Sequence, residues 1–294
     1  MAVPPPPLFD RRTIRRRLAR AVSAGAADFL LAHAVGDLIE RLSVVQRDFP
    51  RVLDLGTPSP VLSEQLLSAP GAPSLVRLSP LQETVGPAGT LAFVGDEEAL
   101  PLAAEQFDLV VSALALHHVN DLPGTLVQLR RVLKPDGLFL GCLLGGRTLE
   151  ELRVAIAVAE TELTGGVSPR VAPCADIRDM GALLQRAGFA LPVVDREPLV
   201  ARYPNLFGLM ADLRAMGATN ALAARLRKPS TRSLFLRAAE IYAERFADPD
   251  GRVRATFELI YVSGWAPHAS QRQPLAPGSA RMRLADVLGP GSIG

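Results

Sequence analysis

Residues 51–68, RVLDLGTPSPVLSEQLLS, open with a short apolar run that ends in Asp54 and Gly56 and then pass into helical spacing. That order is strand, turn and helix. A glycine at the carboxyl end of a buried strand lets backbone approach a ligand at the crevice of an open sheet. Further strands are predicted at Ser74–Ser79, Thr90–Gly95 and Phe107–Leu114. The last of these, FDLVVSAL, is nearly continuous in apolar character, as strands buried on both faces are. Between 121 and 133, Leu122, Leu126, Leu129, Val132 and Leu133 share one helical face, KPDG turns the chain, and GLFLGCLL makes a fifth strand. Alternation at this spacing predicts right-handed crossovers and a doubly wound, mostly parallel α/β sheet.

Around this sheet, Asp10–Ser43 carries apolar residues at helical spacing and reads as one or two helices. Downstream, helices are predicted at 148–163 and 176–187, then a strand FALPVVDRE, a long helical region at 206–246, and ATFELIYVSGW as a late edge or hairpin strand. The chain therefore divides into an N-terminal basic arm with helices (1–45), a domain at 46–265 with a helical cover at 206–246, and a tail at 266–294. The cover sits where it can shape the crevice at the strand ends, for a substrate or a partner.

With 294 residues and 48% hydrophobic content the chain can bury a full core, and disorder is excluded as its general state. A net charge of +2 from balanced acids and bases gives no ground for a nucleic-acid partner. The basic residues that cluster are Arg11, Arg12, Arg15, Arg16, Arg17 and Arg20. Such an arm is either solvated, the favoured reading, or a surface for an anionic membrane or an acidic partner. Cys142 and Cys174 stand alone without CxxC spacing, which speaks against a disulfide framework or a structural zinc site. No apolar run is long enough to span a membrane and MAVPPPPLFD lacks a secretory core, so a cytoplasmic location is expected.

Chemistry-bearing residues gather at the predicted strand ends. Gly95–Pro101, GDEEALP, ends the third strand with acceptors suited to an adenine edge, and FDLVVS follows at the spacing of a nucleotide-binding sheet. After the fourth strand come His117, His118, Asn120 and Asp121, where a substrate would approach; His117 and Asp121 are the candidate catalytic groups, as base, anchor or ligand. The structural alternative is that the histidines pack and that Asp121 caps the next helix. A two-histidine, one-carboxylate iron site from His117, His118 and Asp121 is disfavoured because adjacent histidines rarely face one ion, and no metal site is expected. His33 and His268 are isolated, Arg147 and Arg178 could read a carboxylate, and Tyr261 and Trp265 either pack the late strand or line a pocket.

On these motifs the chain resembles the class I S-adenosylmethionine (SAM) dependent methyltransferases, over about Arg51–Leu144. The resemblance implies a Rossmann-like sheet and SAM as cofactor, with Asp54 and Gly56 near its methionine and ribose, Asp96 and Glu97 near its adenine, and Ser79 where that family places the acid that grips the ribose. A serine forgoes a charge-assisted bidentate pair, which lowers affinity for SAM by about 1–3 kcal/mol. Pro58 and Pro60 stand in GTPSP where that family has glycines, and they remove backbone donors and stiffen the loop.

A second resemblance covers nearly the whole chain: FDR at 9–11, DFP at 48–50, LALHHVNDLPGTL, LKPDG, GGRTLEELR, AETE with GG-SP, RAGF, the turn at Asp250–Arg252, and Gly264-Trp265 with His268 and PGSA. These are similar to the respiratory complex I assembly-factor family, whose mitochondrial member is assigned arginine hydroxylation of an iron–sulfur subunit of NADH:quinone oxidoreductase. That likeness implies a complex I subunit as protein substrate, hydroxylated or methylated on arginine. Two alternatives stand beside it. One is a small-molecule carboxylate methyltransferase related to biotin-pathway enzymes, which share LALHHVNDL and LKPDG. The other is a non-enzymatic assembly scaffold with a degenerate SAM site, supported by GTPSP and Ser79.

Overall fold

A computed structural model describes residues 6–271 apart from 70, 85 and 89. Seven strands form one sheet: β1 (Arg51–Leu55), β2 (Ser74–Ser79), β3 (Leu91–Val94), β4 (Phe107–Ala113), β5 (Leu133–Leu144), β6 (Ala190–Tyr203) and β7 (Val253–Trp265). Their order is β3-β2-β1-β4-β5-β7-β6, with β7 antiparallel to both neighbours. The sheet reverses direction of growth between β1 and β4, the switch point at which open α/β sheets leave a crevice beyond their carboxyl ends.

The period-two alternation of strands distributes the core over both faces. Val52, Leu75, Leu109, Val111 and Leu140 face one layer, built from α2 (Phe29–Ser43), α3 (Val61–Ser68), α5 (Glu150–Thr164), α7 (Leu206–Ala215) and α8 (Arg232–Phe246). Leu53, Leu55, Val76, Val110 and Phe139 face α4 (Leu122–Val132) and α6 (Ile177–Arg186). Both faces being covered explains why FDLVVSA reads as an uninterrupted apolar run.

Two differences from the sequence-based expectation have physical causes. ATFELIYVSGW is not an edge strand: β7 lies between β5 and β6, and Ala255–Val262 are all buried. The edge strand on that side is β6, which continues past FALPVVDRE to Tyr203; Pro198, which cannot donate to a ladder, is tolerated there because an edge strand has one free side. The helical region at 206–246 is made of α7 and α8. After α7 the chain turns at Gly217 with φ +72°, and a Cβ on that glycine would lie 2.9 Å from the backbone of Leu18. Gly217 therefore allows α1 (Arg11–Ser23) to press against the 216–225 segment.

That contact makes α1 a docked strap. Asp10 caps the helix by accepting from Thr13 N, donates its own N–H to Ala221 O, and its carboxylate pairs with Arg225 at 2.9 Å. Phe9 bridges Leu222 and exchanges hydrogen bonds with the Asn120 side chain. Of the six clustered arginines, Arg11, Arg15 and Arg17 turn inward, while Arg12, Arg16 and Arg20 are exposed; the arm is thus only half solvated. The PGSA segment and the rest of the tail beyond 271 lie outside the described residues.

Candidate functional site

The carboxyl ends of β1–β3 hold the five residues expected to bind a cofactor. Asp54 sits opposite Arg77 in the parallel ladder, and both side chains are 0% exposed. A buried carboxylate needs a counter-charge, and Arg77 supplies it, donating from Nη1 to Asp54, from Nη2 to Thr57 O at 2.6 Å and from Nε to Thr84 O at 3.0 Å. Ser63 Oγ adds a 2.6 Å bond to Asp54 Oδ2, while Asp54 Oδ1 is buried without a partner. Burial pushes the Asp54 carboxyl up, and the Arg77 guanidinium opposes it. Ser79 Oγ is turned inward, 2.7 Å from Leu81 O and 2.7 Å from Thr84 Oγ1.

Beyond β3, Asp96 accepts from Arg11 at 3.0 Å and Arg15 at 2.9 Å, and Arg11 also pairs with the buried Glu97. Gly56 has φ +68°, and a Cβ there would lie 2.7 Å from Glu97 Oε1 and 3.1 Å from Ala115 Cβ. The glycine does permit a close approach, but the approaching group is the chain's own glutamate.

SAM presents an ammonium, a sulfonium, a carboxylate, a ribose diol and an adenine. Asp54 already faces a guanidinium, Ser79 is spent on Leu81 and Thr84, and Asp96 and Glu97 are held by α1. The unpartnered Asp54 Oδ1 is sealed from solvent. The residues in this arrangement do not fit the cofactor. Arg77 was not singled out from sequence; its signal is a lone charge inside the apolar strand SLVRLS.

A cavity of about 580 Å³ opens beyond β4 and β5, under α5, α7 and the 216–231 segment. Its apolar wall includes Leu30, Leu149, Leu152, Met210 and Phe257. Its charged wall is Arg17, Arg170, Arg214, Arg225 and Arg227, and no aspartate or glutamate lines it. Arg170 is matched by Glu160 at 2.6 Å and Arg225 by Asp10. Arg17 is held by the carbonyls of Thr219, at 2.7 Å, and Asn220. Among the described residues no carboxylate pairs with Arg17, Arg214 or Arg227. Burial, with Arg225 and Arg16 nearby, pushes the Arg17 guanidinium down. Arg147, paired with Glu150 at the surface, and Arg178 do not line this cavity, nor do Tyr261 and Trp265; Tyr261 instead donates to Asp37 at 2.7 Å.

His117 and His118 both line the cavity, their ring centroids 4.1 Å apart. Burial, with His118 alongside, holds His117 well below the usual imidazole range; burial, with Arg11 nearby, holds His118 down at about 4. Lowered in this way, both are neutral at physiological pH, and His117 Nδ1 is buried with no hydrogen-bond partner. Asp121 is elsewhere: its carboxylate accepts from Gly124 N at 2.8 Å and caps α4. His33 is not isolated, since its Nε2 lies 3.1 Å from Glu197 and it meets Asp37 as well. These three place ligand-type atoms within 4.8 Å of one another, half-buried between α2 and β6.

Residues 74–141 match the family model described as a methyltransferase domain. The fold aligns with a Bacillus halodurans protein assigned as a methyltransferase, at TM-score 0.55 and 18% identity over 80% of this chain and 99% of that one. It also aligns with the [4+2]-cyclase SpnF, at TM-score 0.53 and 14% identity over 91% of this chain and 100% of that one. Human mitochondrial arginine-hydroxylase NDUFAF5 is 38% identical over 95% of this chain and 83% of its own length. The malonyl-[acyl-carrier protein] O-methyltransferase of Gallionella capsiferriformans is 34% identical over 88% of this chain and 92% of its own length. The chain belongs to the arginine-hydroxylase NDUFAF5 family, an enzyme family on the class I SAM-dependent methyltransferase fold.

Proposed function

We propose that this chain acts in the cytoplasm on an arginine-bearing segment of a respiratory complex I subunit, modifying it during assembly of the oxidoreductase. The observation that carries the reading is the span of the likeness: 38% identity runs through 95% of the chain, well beyond the 74–141 methyltransferase segment and into the strap and the cover. The exposed face of α1, with Arg12, Arg16 and Arg20 at successive turns, suits an acidic surface of such a partner or an anionic membrane beside it. His117 is the residue proposed to handle a proton; Asp121 supports it only by fixing α4. SAM would reach Asp54, Gly56, Ser79, Asp96 and Glu97 only after Arg77 and Arg11 release their partners. Deleting the gene in its host and measuring assembled oxidoreductase, with mass spectrometry of the subunit's arginines, tests the reading. Loss of assembly with loss of an oxygen or methyl mass on one arginine is expected; unchanged assembly and arginine masses refute it.

A second reading is favoured by one observation, the arginine wall with no acid in it. A guanidinium is repelled there, whereas a carboxylate on an acyl body is matched by both walls. On that reading the cavity takes an acyl carboxylate, as the name of the O-methyltransferase relatives suggests for them. Saturable binding of a malonyl thioester, lost in Arg17→Glu, would favour it.

A further inference from the structure

We infer that Arg77 is an intrachain occupant of the cofactor crevice, so that this chain keeps its fold and its cavity without SAM and draws no methyl group from it. The inference rests on the crevice alone and on neither functional reading.

Three observations converge. The first is charge. Asp54, the acid that ends β1, has its counter-charge from the neighbouring strand, residue opposite residue, with both partners at 0% exposure. A second cation brought to Asp54 would meet the guanidinium already there.

The second is connectivity. Arg77 uses three different nitrogens on three acceptors: Asp54, the Thr57 carbonyl after β1 and the Thr84 carbonyl after β2. It thereby staples together the two loops between which a ligand of this crevice would lie. Every nitrogen of this fully buried guanidinium is already committed to an intrachain acceptor, and the side chain has no exposed surface to present to an incoming carboxylate.

The third is fit of the surroundings. A Cβ on Gly86, at φ +124°, would lie 3.1 Å from Arg77 Cδ, so this turn is shaped around the arginine stem. Ser79 bonds Thr84, whose carbonyl receives Arg77, so an acid at 79 would compete with the staple for the same ground. Glu97 fills the approach over Gly56 and is clamped by Arg11 of the strap. Pro58 and Pro60 complete a loop with fewer donors to give.

Calorimetric titration of the full chain with SAM and with S-adenosylhomocysteine, paired with thermal melts, tests the inference. The expected result is no saturable heat and no rise in Tm at ligand concentrations up to about 1 mM, where a micromolar ligand would raise it. Saturable binding with a micromolar Kd overturns the inference. Stability gives an independent arm, read by the melting temperatures of Arg77→Gln and of Asp54→Asn/Arg77→Gln. Arg77→Gln alone should melt lower than the double variant, because it leaves a bare buried carboxylate and the double does not. Equal melting of the two, or an unchanged Arg77→Gln, overturns the role assigned to Arg77. Either result leaves the gene-deletion test of the proposed function unaffected, so the two can fail separately.

Discussion

At the ends of β1–β3 the charges are matched within the chain: Arg77 with Asp54, Arg11 with Glu97, and Arg11 and Arg15 with Asp96. Beyond β4 and β5, Arg17 has only carbonyl oxygens, and Arg214 and Arg227 face the cavity without a carboxylate among the described residues. The first region is closed and polar to no purpose but its own cohesion; the second is open and carries surplus positive charge. Beyond the carboxyl ends of one sheet, the crevice that defines the fold family is filled by the chain's own charges, and the neighbouring cavity keeps cations without carboxylate partners among the described residues. The strap α1 belongs to both, because Arg11 and Arg15 clamp the crevice while Arg17 lines the cavity.

The contrast predicts the largest effect at Arg77. Arg77→Ala strands Asp54 at zero exposure and should destabilise the chain by about 3–5 kcal/mol, measured by urea denaturation. Arg214→Ala, at the exposed cavity rim, should change stability by less than about 0.5 kcal/mol. Equal effects would erase the distinction between a matched and an unmatched region.

The histidine pair between the two regions gives the next effect. His118 has its pKa lowered to about 4 from an unfolded value of 6.5, chiefly by burial, and His117 is lowered too, by burial and by His118 beside it. The unfolded chain therefore binds protons between pH 6.5 and 4 that the folded chain refuses. Stability from this source is complete above pH 6.5 and declines as pH falls toward 4, by about 2–3 kcal/mol for His118. Replacing both histidines with asparagine should flatten that stretch of the stability curve; an unaltered slope would place the acid sensitivity elsewhere.

Within the cavity, Arg17→Gln should weaken binding of a short acyl carboxylate by about tenfold, the worth of one charge-assisted contact. The same variant should leave the crevice untouched. If affinity is unchanged, the unmatched cations are rim charges and not ligand contacts.

Much of this could be read in the sequence, and what could not was of one kind. Apolar runs located β1, β2, β4 and β5 because each is largely buried on both faces, and the signal is local. The placement of β7 inside β6 depends on which strand the late segment pairs with, and no local pattern carries pairing. Likewise Ser79, Pro58 and Pro60 showed that the cofactor loop departs from its family, but the pairs that close it join residues distant in the chain, Arg77 with Asp54 across 23 residues and Arg11 with Glu97 across 86. Basic residues at 11–20 looked like a solvated face; that Arg11, Arg15 and Arg17 turn inward follows from the docking of α1 permitted by Gly217.

Asp121 gives the smallest expected effect and the sharpest separation of capping from chemistry. Its carboxylate accepts from Gly124 N at 2.8 Å, and Thr125 N bonds to Asp121 O at 2.9 Å, the geometry of an N-cap at the start of α4. Asp121→Ala removes the cap and should cost about 1 kcal/mol. Asparagine caps about as well as aspartate, so Asp121→Asn should change stability by only a few tenths of a kcal/mol. A group that carries a proton behaves in the opposite way, since an amide keeps the shape and loses the basicity. If Asp121→Asn keeps its melting temperature and its activity on the subunit together, the residue is a cap that positions His117 through the fold. If it keeps the melting temperature and loses activity, Asp121 takes part in the chemistry from the cavity side, and the 117–121 segment is one catalytic unit and not a histidine beside a helix cap.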